Sequence, residues 1–195
     1  ATGATSTYAE VTAATGAVLS AALVSVQHWD PWAALLAATL GGVVAGLITG
    51  FLHTTLRING LLASILVTLG LYSINLRLLG GRSNVGLIDA PTVFDGLRPG
   101  AAGAPILRDL AAALGPLGDN RYFQYLLLLI VLIAIFIGLA YWWLNSEQGL
   151  ALRATGDNPQ MIRALGVSTD VMKLLGLAVA NGAAALTGGL LTQSF

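Results

Sequence analysis

This chain of 195 residues has polar side chains that are suited to binding and docking. Many of them lie in one short segment. Positions 153–166 read RATGDNPQMIRALG. Asn158 is suited to cap a helix that Pro159 opens, because both residue types are favoured at a helix start. Gly166 is suited to end that helix in the left-handed conformation. The pattern therefore predicts a short capped helix over 159–165.

The side chains of this predicted helix are of two kinds. Met161, Ile162 and Leu165 make one apolar face, while Gln160 and Arg163 stay in water. A short amphipathic helix of this kind is able to dock in a groove of a partner protein. It is equally able to serve as an interfacial helix that only tethers two spans, and its periodicity does not distinguish the two roles.

A second set of polar residues lies inside long apolar stretches. These residues are Thr68, Ser73, Asn75 and Asn181. Hydroxyl and amide groups at membrane depth hydrogen-bond a passing solute in some proteins and join neighbouring helices in others. The four residues are therefore candidates for a translocation path, with hydrogen bonding between helices as the alternative.

Several classes of chemistry are excluded by residues that the sequence lacks. There is no cysteine, and the two histidines, His28 and His53, are isolated and indicate no metal cluster. No glycine-rich phosphate-binding loop followed by Lys-Ser/Thr is present, so we expect this chain to bind no nucleotide or other cofactor. A net charge of zero argues against nucleic acid as a partner. Energy for any active process must then come from another subunit.

Five uncharged stretches supply the elements that must position these residues. They cover 11–29, 31–52, 58–76, 122–144 and 174–195. About 20 apolar residues cross the hydrocarbon core of a bilayer as a helix. Hydrophobic residues make up 56% of the chain and charged residues 9%, whereas a soluble domain carries about 25% charged residues. The sequence predicts an all-α, polytopic transmembrane helix bundle of about five spans, forming one domain over 1–195.

Small residues at four-residue spacing indicate where these helices approach one another. The stripes consist of Gly42, Gly46 and Gly50 in the second stretch and of Gly176, Ala180, Ala184 and Gly188 in the fifth. Such stripes allow two backbones to lie close together. Static packing and an interface that rocks during transport are both compatible with them. The first stretch, rich in Ala, Thr and Ser, suits a helix packed inside the bundle, and the interrupted third stretch suits a broken helix.

Two polar segments separate the later stretches. Residues 78–121 are predicted to hold a short helix over 106–114 that lies along the membrane surface. Residues 145–173 fall on the opposite side of the membrane by alternation of the spans, together with Arg57. Positive charges occur on both sides, so they do not fix the orientation. The chain does not begin with Met and stops within an apolar run, so we expect it to be a fragment of a protein with further helices.

Two regions carry a resemblance to a known family. Positions 46–80 include LRINGLLASIL and LYSINLRLLG, and positions 152–191 include LRATGDNPQMIRALGV followed by a helix of small residues. These regions resemble the permease subunits of bacterial ATP-binding-cassette importers, in the superfamily that serves branched-chain amino acids and ribose. Within it, the first region is most similar to an uncharacterised tryptophan/tyrosine-type branch.

The resemblance implies a role for the polar segment 153–166. It matches the cytoplasmic loop that contacts the ATPase subunit in this family, with a coupling helix at its centre. The implied coupling residues are Arg153, Asp157, Asn158, Pro159, Met161, Arg163 and Gly166. ATP and Mg²⁺ would bind on the partner ATPase. The segment 78–121 would be periplasmic and would meet a solute-binding protein, and a second permease copy would complete the assembly in the bacterial inner membrane.

The leading hypothesis is therefore a permease subunit of an ATP-driven importer for a small solute, with amino acids as the substrate class that the resemblance suggests. One alternative is a passive channel or membrane scaffold without an ATPase partner. Another is a membrane enzyme, which the missing catalytic residue sets disfavour.

Overall fold

The computed structural model describes residues 2–27, 30–79 and 121–194, and these residues form helices joined by short connections. The helices are α1 (Thr2–Gln27), α2 (Pro31–Thr54), α3 (Gly60–Leu78), α4 (Arg121–Leu144), α5 (Glu147–Asp157), α6 (Pro159–Ala164) and α7 (Thr169–Ser194). The all-α prediction is confirmed. The predicted loop 78–121, apart from its ends, and its surface helix 106–114 lie outside the described residues.

Three of these helices are long and apolar enough to cross a membrane. They are α2, α3 and the segment Thr169–Gln193 of α7, and part of α4 together with α5 makes a fourth candidate that is bent by 76°. Within the part of α1 whose side chains the structure describes, an apolar helix covers Val11–Val24. By length and composition the described residues thus give three or four spans, against the five predicted stretches.

The centre of the bundle is formed by α1, α2 and α7, which all contact one another, and α3 lies against α1 and α2. The predicted interior position of the first helix is confirmed, because α1 buries Thr12, Thr15, Ser20 and Val24. In contrast, α3 buries little of its surface; its buried residues are Ala63, Val67 and Asn75. The exposed apolar side chains of α3 and α4 are those expected to face lipid or further helices.

Glycines of α2 allow its backbone to lie directly on α7. A β-carbon built on Gly42 would lie 2.5 Å from the backbone oxygen of Asn181, and one on Gly46 would collide with the backbone oxygen of Leu177. At Gly50 the approach is looser, with a β-carbon 3.1 Å from the Cα of Leu174. The glycine stripe of α2 therefore lies at one continuous helix contact.

The predicted stripe on α7 does not form a single packing face. Gly188 is buried against Ala13 of α1, but Ala184 is half-buried and Ala180 is exposed. Gly176 instead contacts Leu152 of α5, 3.1 Å from a built β-carbon to Cδ1. Four residues advance a helix by about 400°, so such a stripe rotates by about 40° at each step. The face that α7 buries combines steps of three and four, through Ala178, Asn181, Gly182, Ala185, Gly188 and Gly189.

The third helix is continuous rather than broken. Asn59 is its N-cap, and Asn59 Oδ1 accepts a hydrogen bond from the backbone N–H of Leu61 at 3.1 Å. Gly70 lies within the helix with no other atoms within 4 Å of a built β-carbon. A single exposed glycine costs only about 1 kcal/mol relative to Ala in a helix interior. The polar interruptions of this stretch are therefore tolerated without a break.

The contact between α2 and α7 predicts opposite effects for two glycine substitutions. Gly46→Ala places a methyl group against α7 backbone and should destabilise the intact protein by about 1–3 kcal/mol, as overpacking does. Gly70→Ala is the matched control and should be neutral or slightly stabilising. Thermal unfolding of each variant in detergent, followed by tryptophan fluorescence, measures the difference. Equal melting temperatures for the two variants would contradict the close approach.

Candidate functional site

The segment that follows α4 is folded as an additional helix, α5, which the sequence prediction does not include. Ser146 is its N-cap, with Ser146 Oγ 3.4 Å from the backbone nitrogen of Gly149, and Glu147 lies in its first turn. Thr155 Oγ1 donates to the carbonyl of Ala151 at 2.7 Å. Thr155, Gly156 and Asp157 are thus helical, and the helix ends before Asn158. A Ser followed by an acidic residue is a start signal that would have indicated this helix.

The break between α5 and α6 occurs at Asn158, as the cap pattern predicts. Asn158 has extended backbone angles, φ −148° and ψ 90°, and its Oδ1 accepts from the backbone N–H groups of Gln160 and Met161 at 3.2 and 3.1 Å. Pro159 occupies the start of α6. Gly166 follows the helix with φ +85°, a conformation that a β-carbon disfavours. The short capped helix is confirmed, and it ends at Ala164.

The inner side of α6 is fixed to the start of α7. Ile162 is buried, with 7% of its surface exposed. Arg163 Nε donates to Thr169 Oγ1 at 2.7 Å, and Arg163 also forms an ion pair with Asp170 at 3.5 Å. Both charged side chains of that pair are more than half exposed, so the ion pair contributes little by itself. The hydrogen bond to Thr169 is therefore the main side-chain attachment of α6 to α7.

The outer side of α6 presents two apolar side chains to solvent. Met161 is 59% exposed and Leu165 is 67% exposed. The prediction that Ile162 shares one face with Met161 and Leu165 is wrong. Residues 161 and 165 are four apart and lie one above the other, whereas 162 is rotated by about 100° from 161. Arg153 and Asp157 on α5 are also exposed.

Two of the four candidate path residues are buried against α1. Asn75 is 7% exposed, and its Nδ2 donates to Thr15 Oγ1 at 3.2 Å. Asn181 is 3% exposed, and its Oδ1 accepts from Thr12 Oγ1 at 2.9 Å. Within the described part of the chain, Asn75 Oδ1 is a buried polar atom that has no hydrogen-bond partner. Both amides therefore join helices, and Asn75 retains one unused acceptor.

The other two candidates are not brought to the same place. Ser73 is exposed, and its Oγ donates to the carbonyl of Leu69 on its own helix at 3.1 Å. Thr68 is half-buried. Ser73 lies two residues from Asn75, a step of about 200° around a helix, so the two side chains leave α3 on different sides. The four residues do not line one common surface.

Comparison with known proteins identifies the family. Residues 9–195 match the model of the family described as "Branched-chain amino acid transport system / permease component". The chain belongs to this permease family. Its resemblance to such permeases, carried by the segment around α5 and α6 and by α3, is confirmed.

Individual relatives agree with this assignment. The chain is 37% identical to the "Tyrosine transport system permease protein" of Clostridioides difficile over 164 residues, which cover 84% of this chain and 47% of the relative. It is 36% identical to the "Autoinducer 2 import system permease protein LsrC" of Yersinia pseudotuberculosis, over 80% of this chain and 38% of the relative. "Uncharacterized protein RP368" of Rickettsia prowazekii is 34% identical over 82% of this chain and 49% of its own length.

These matches fix the class of the protein but extend over less than half of each relative's length. No solved structure matches the chain. Membership of the permease family and the membrane-spanning helices make the chain part of a multi-pass protein of the inner membrane. It is a transport component rather than an enzyme.

The cap of α6 generates a prediction for its local stability. Asn158→Ala removes the acceptor of two backbone N–H groups and should lower the stability of α6 by about 1 kcal/mol, whereas Asn158→Asp keeps a capping oxygen. Hydrogen exchange of the peptide containing residues 159–165, measured by mass spectrometry, should be about fivefold faster in Asn158→Ala and near the wild-type rate in Asn158→Asp. Unchanged exchange in the alanine variant would show that the cap does not hold this helix.

Proposed function

We propose that this chain is part of the permease subunit of an ATP-driven importer for a small solute, working with a separate ATPase subunit that binds ATP and Mg²⁺. The observation that carries the proposal is α6, a capped helix whose outer Met161 and Leu165 are exposed while its inner side is fixed to α7. Exposed apolar side chains on a rigid short helix suit a groove on a partner. The side of the membrane that carries α6 is then the cytoplasmic side.

The contacts of α6 provide a route by which a partner's movement reaches the membrane. Arg163 attaches α6 to the start of α7 through Thr169, and α5 contacts α7 through Leu152 and Gly176. In turn, α7 lies against α1 and α2 along its length. Displacement of α6 would therefore move a helix at the centre of the bundle. Transport requires that such a displacement favour one of two arrangements of the bundle. Nucleotide binding to the ATPase would cause this displacement.

The substrate is proposed from the relatives and from the chemistry of the spans. The relative from C. difficile is named for tyrosine transport, which supports an amino acid. The described spans have no charged residue in their apolar interiors, so recognition there would use hydrogen bonds rather than ion pairs. A solute-binding protein on the face opposite α6, and a second permease copy, complete the assembly that we propose.

We also propose that the solute path passes near Asn75. Its unused Oδ1 is a buried acceptor between α1 and α3, and a buried polar group without a partner is unfavourable unless a ligand or water satisfies it. Since α3 buries few residues, it has freedom to separate from α1. These two features favour the α1–α3 contact over the α2–α7 contact as the place where a path opens.

The docking role of α6 predicts that charge on its outer side disrupts the complex. Met161→Asp together with Leu165→Asp should weaken association with the ATPase by at least about tenfold, since burying an unpaired carboxylate opposes binding. Met161→Leu keeps the size and apolarity of the side chain and should preserve association. Quantitative mass spectrometry of the ATPase that co-purifies with the intact permease, and ATP-dependent uptake into proteoliposomes, measure the effect.

Two results would contradict this role. Undiminished ATPase co-purification with the double aspartate variant would remove α6 from the interface. Solute flux at the same rate with and without ATP, in vesicles that contain the ATPase, would support a passive channel instead of an importer.

The path proposal predicts that Asn75 and Thr15 have different effects. Asn75→Leu removes the unused acceptor and should reduce uptake by about tenfold, the equivalent of one hydrogen bond. Thr15→Val breaks the same contact between α1 and α3 but leaves the acceptor, and Ser73→Ala changes only an exposed hydroxyl. Both should retain most of the uptake. Equal losses for Asn75→Leu and Thr15→Val would assign Asn75 to helix packing alone.

A further inference from the structure

A cavity of about 670 Å³ lies at the end of the bundle that carries α6. It is bounded by the end of α2, the linker to α3, the start of α3, α6 and the first residues of α7. The polar residues that line it include His53, Arg57, Asn59, Arg163, Asp170 and Lys173. Residues far apart in the sequence thus meet in one polar depression at the ends of three candidate spans.

The cavity is strongly cationic in a chain whose net charge is zero. Arg57, Arg163 and Lys173 oppose only Asp170, which gives three positive charges and one negative charge with His53 neutral. Asp170 is already paired with Arg163. Among the described residues, neither Arg57 nor Lys173 has an ion-pair partner. Two cations therefore remain available to an anion that enters the cavity.

Arg57 is held at the cavity by an unusual backbone conformation. Its φ is +52°, in the left-handed region, and it is the one described residue other than glycine with a positive φ. The backbone that follows is fixed by two hydrogen bonds, from the N–H of Ile58 to the carbonyl of Leu52 at 3.3 Å and between His53 Nδ1 and the carbonyl of Ile58 at 3.0 Å. A residue other than glycine that is held in an unfavourable backbone conformation is a reason to look for a function at that position.

The level of the cavity in the membrane favours a lipid as the source of the anion. It lies where α2 ends and where α3 and α7 begin, which is the level of the headgroups if these helices span the bilayer. Exposed apolar side chains are close in sequence to the residues that line it, at Phe51 of α2, Leu56 of the linker, Leu61 of α3 and Val171 of α7. A phosphate in the cavity would thus have apolar surface beside it for acyl chains. Basic pockets between spanning helices are suited to anionic headgroups.

We propose that this cavity binds the phosphate group of an anionic phospholipid, with Arg57 and Lys173 as its principal partners and Arg163 beside them. Bound there, the headgroup bridges the linker between α2 and α3 to the start of α7. The same phosphate chemistry is shared by free inorganic phosphate, which the experiment distinguishes. The proposal requires only that α2, α3 and α7 span the membrane, and it does not depend on coupling to an ATPase.

Native mass spectrometry of the intact protein released from detergent tests this site. Wild-type protein should retain phosphatidylglycerol in preference to zwitterionic phosphatidylcholine. Arg57→Gln with Lys173→Gln should reduce the bound fraction of phosphatidylglycerol by about 25-fold, at about fivefold for each cation. Arg77→Gln removes an exposed cation at the other end of α3 and should leave retention unchanged. A melting curve for each variant verifies that it is folded.

Competition with inorganic phosphate identifies the source of the anion. Retention of phosphatidylglycerol in millimolar phosphate supports the lipid, whereas its displacement, with phosphate bound instead, supports a phosphate site that takes free anions. Equal retention by the wild type and the double glutamine variant would overturn the proposal, as would equal retention of the two lipids. Loss of ATPase co-purification in the double variant with lipid retention intact would also overturn it, because the cavity would then contact protein.

Discussion

The close approach of α2 and α7 is the constraint on which the rest of the structure depends. Between helices in lipid the hydrophobic effect gives little drive to associate, so van der Waals contact and hydrogen bonds must hold them together. Gly42 and Gly46 bring the α2 backbone onto α7, and Gly16 and Gly188 do the same between α1 and α7. The result is a unit of three helices in backbone contact, to which α3, α5 and α6 are attached.

Polar bridges set the rotation and height of α1 within this unit. Thr12 bonds Asn181 at 2.9 Å, Asn75 bonds Thr15 at 3.2 Å, and Gln193 Nε2 donates to Ser20 Oγ at 2.8 Å. Each such bond contributes only about 0.6 kcal/mol in a membrane protein. Three of them at different heights nevertheless select one register, because rotating or sliding α1 would leave several buried polar groups without partners. Their role is specificity of packing more than strength.

Local signals in the sequence were sufficient where the structure is decided locally. Asn158, Pro159 and Gly166 are a cap, a first-turn residue and a left-handed end, and each acts within one turn of chain. The sequence did not predict the structure correctly where packing against a neighbouring helix determines which residues are buried. The face that α7 buries depends on where α1 and α2 lie, and the burial of Asn75 rather than Ser73 depends on the side from which α1 approaches α3. The helix α5 is a different case, because its start signal at Ser146 and Glu147 is local although its polar composition resembles a loop.

The same contacts favour static packing of α2 on α7 over an interface that moves. Sliding α2 along α7 would drive Ala185 and Ala178, which now lie at Gly42 and Gly46, against larger residues of α2. We infer that α1, α2 and α7 move as one body. The contact of α3 with α1 is less extensive. Among its described residues α3 buries three, and one of them, Asn75, forms a buried side-chain hydrogen bond with α1. In the transport cycle that we propose, a displacement that enters through α6 and α7 would therefore be expressed most easily as a separation of α3 from the other three helices, next to the unused acceptor of Asn75.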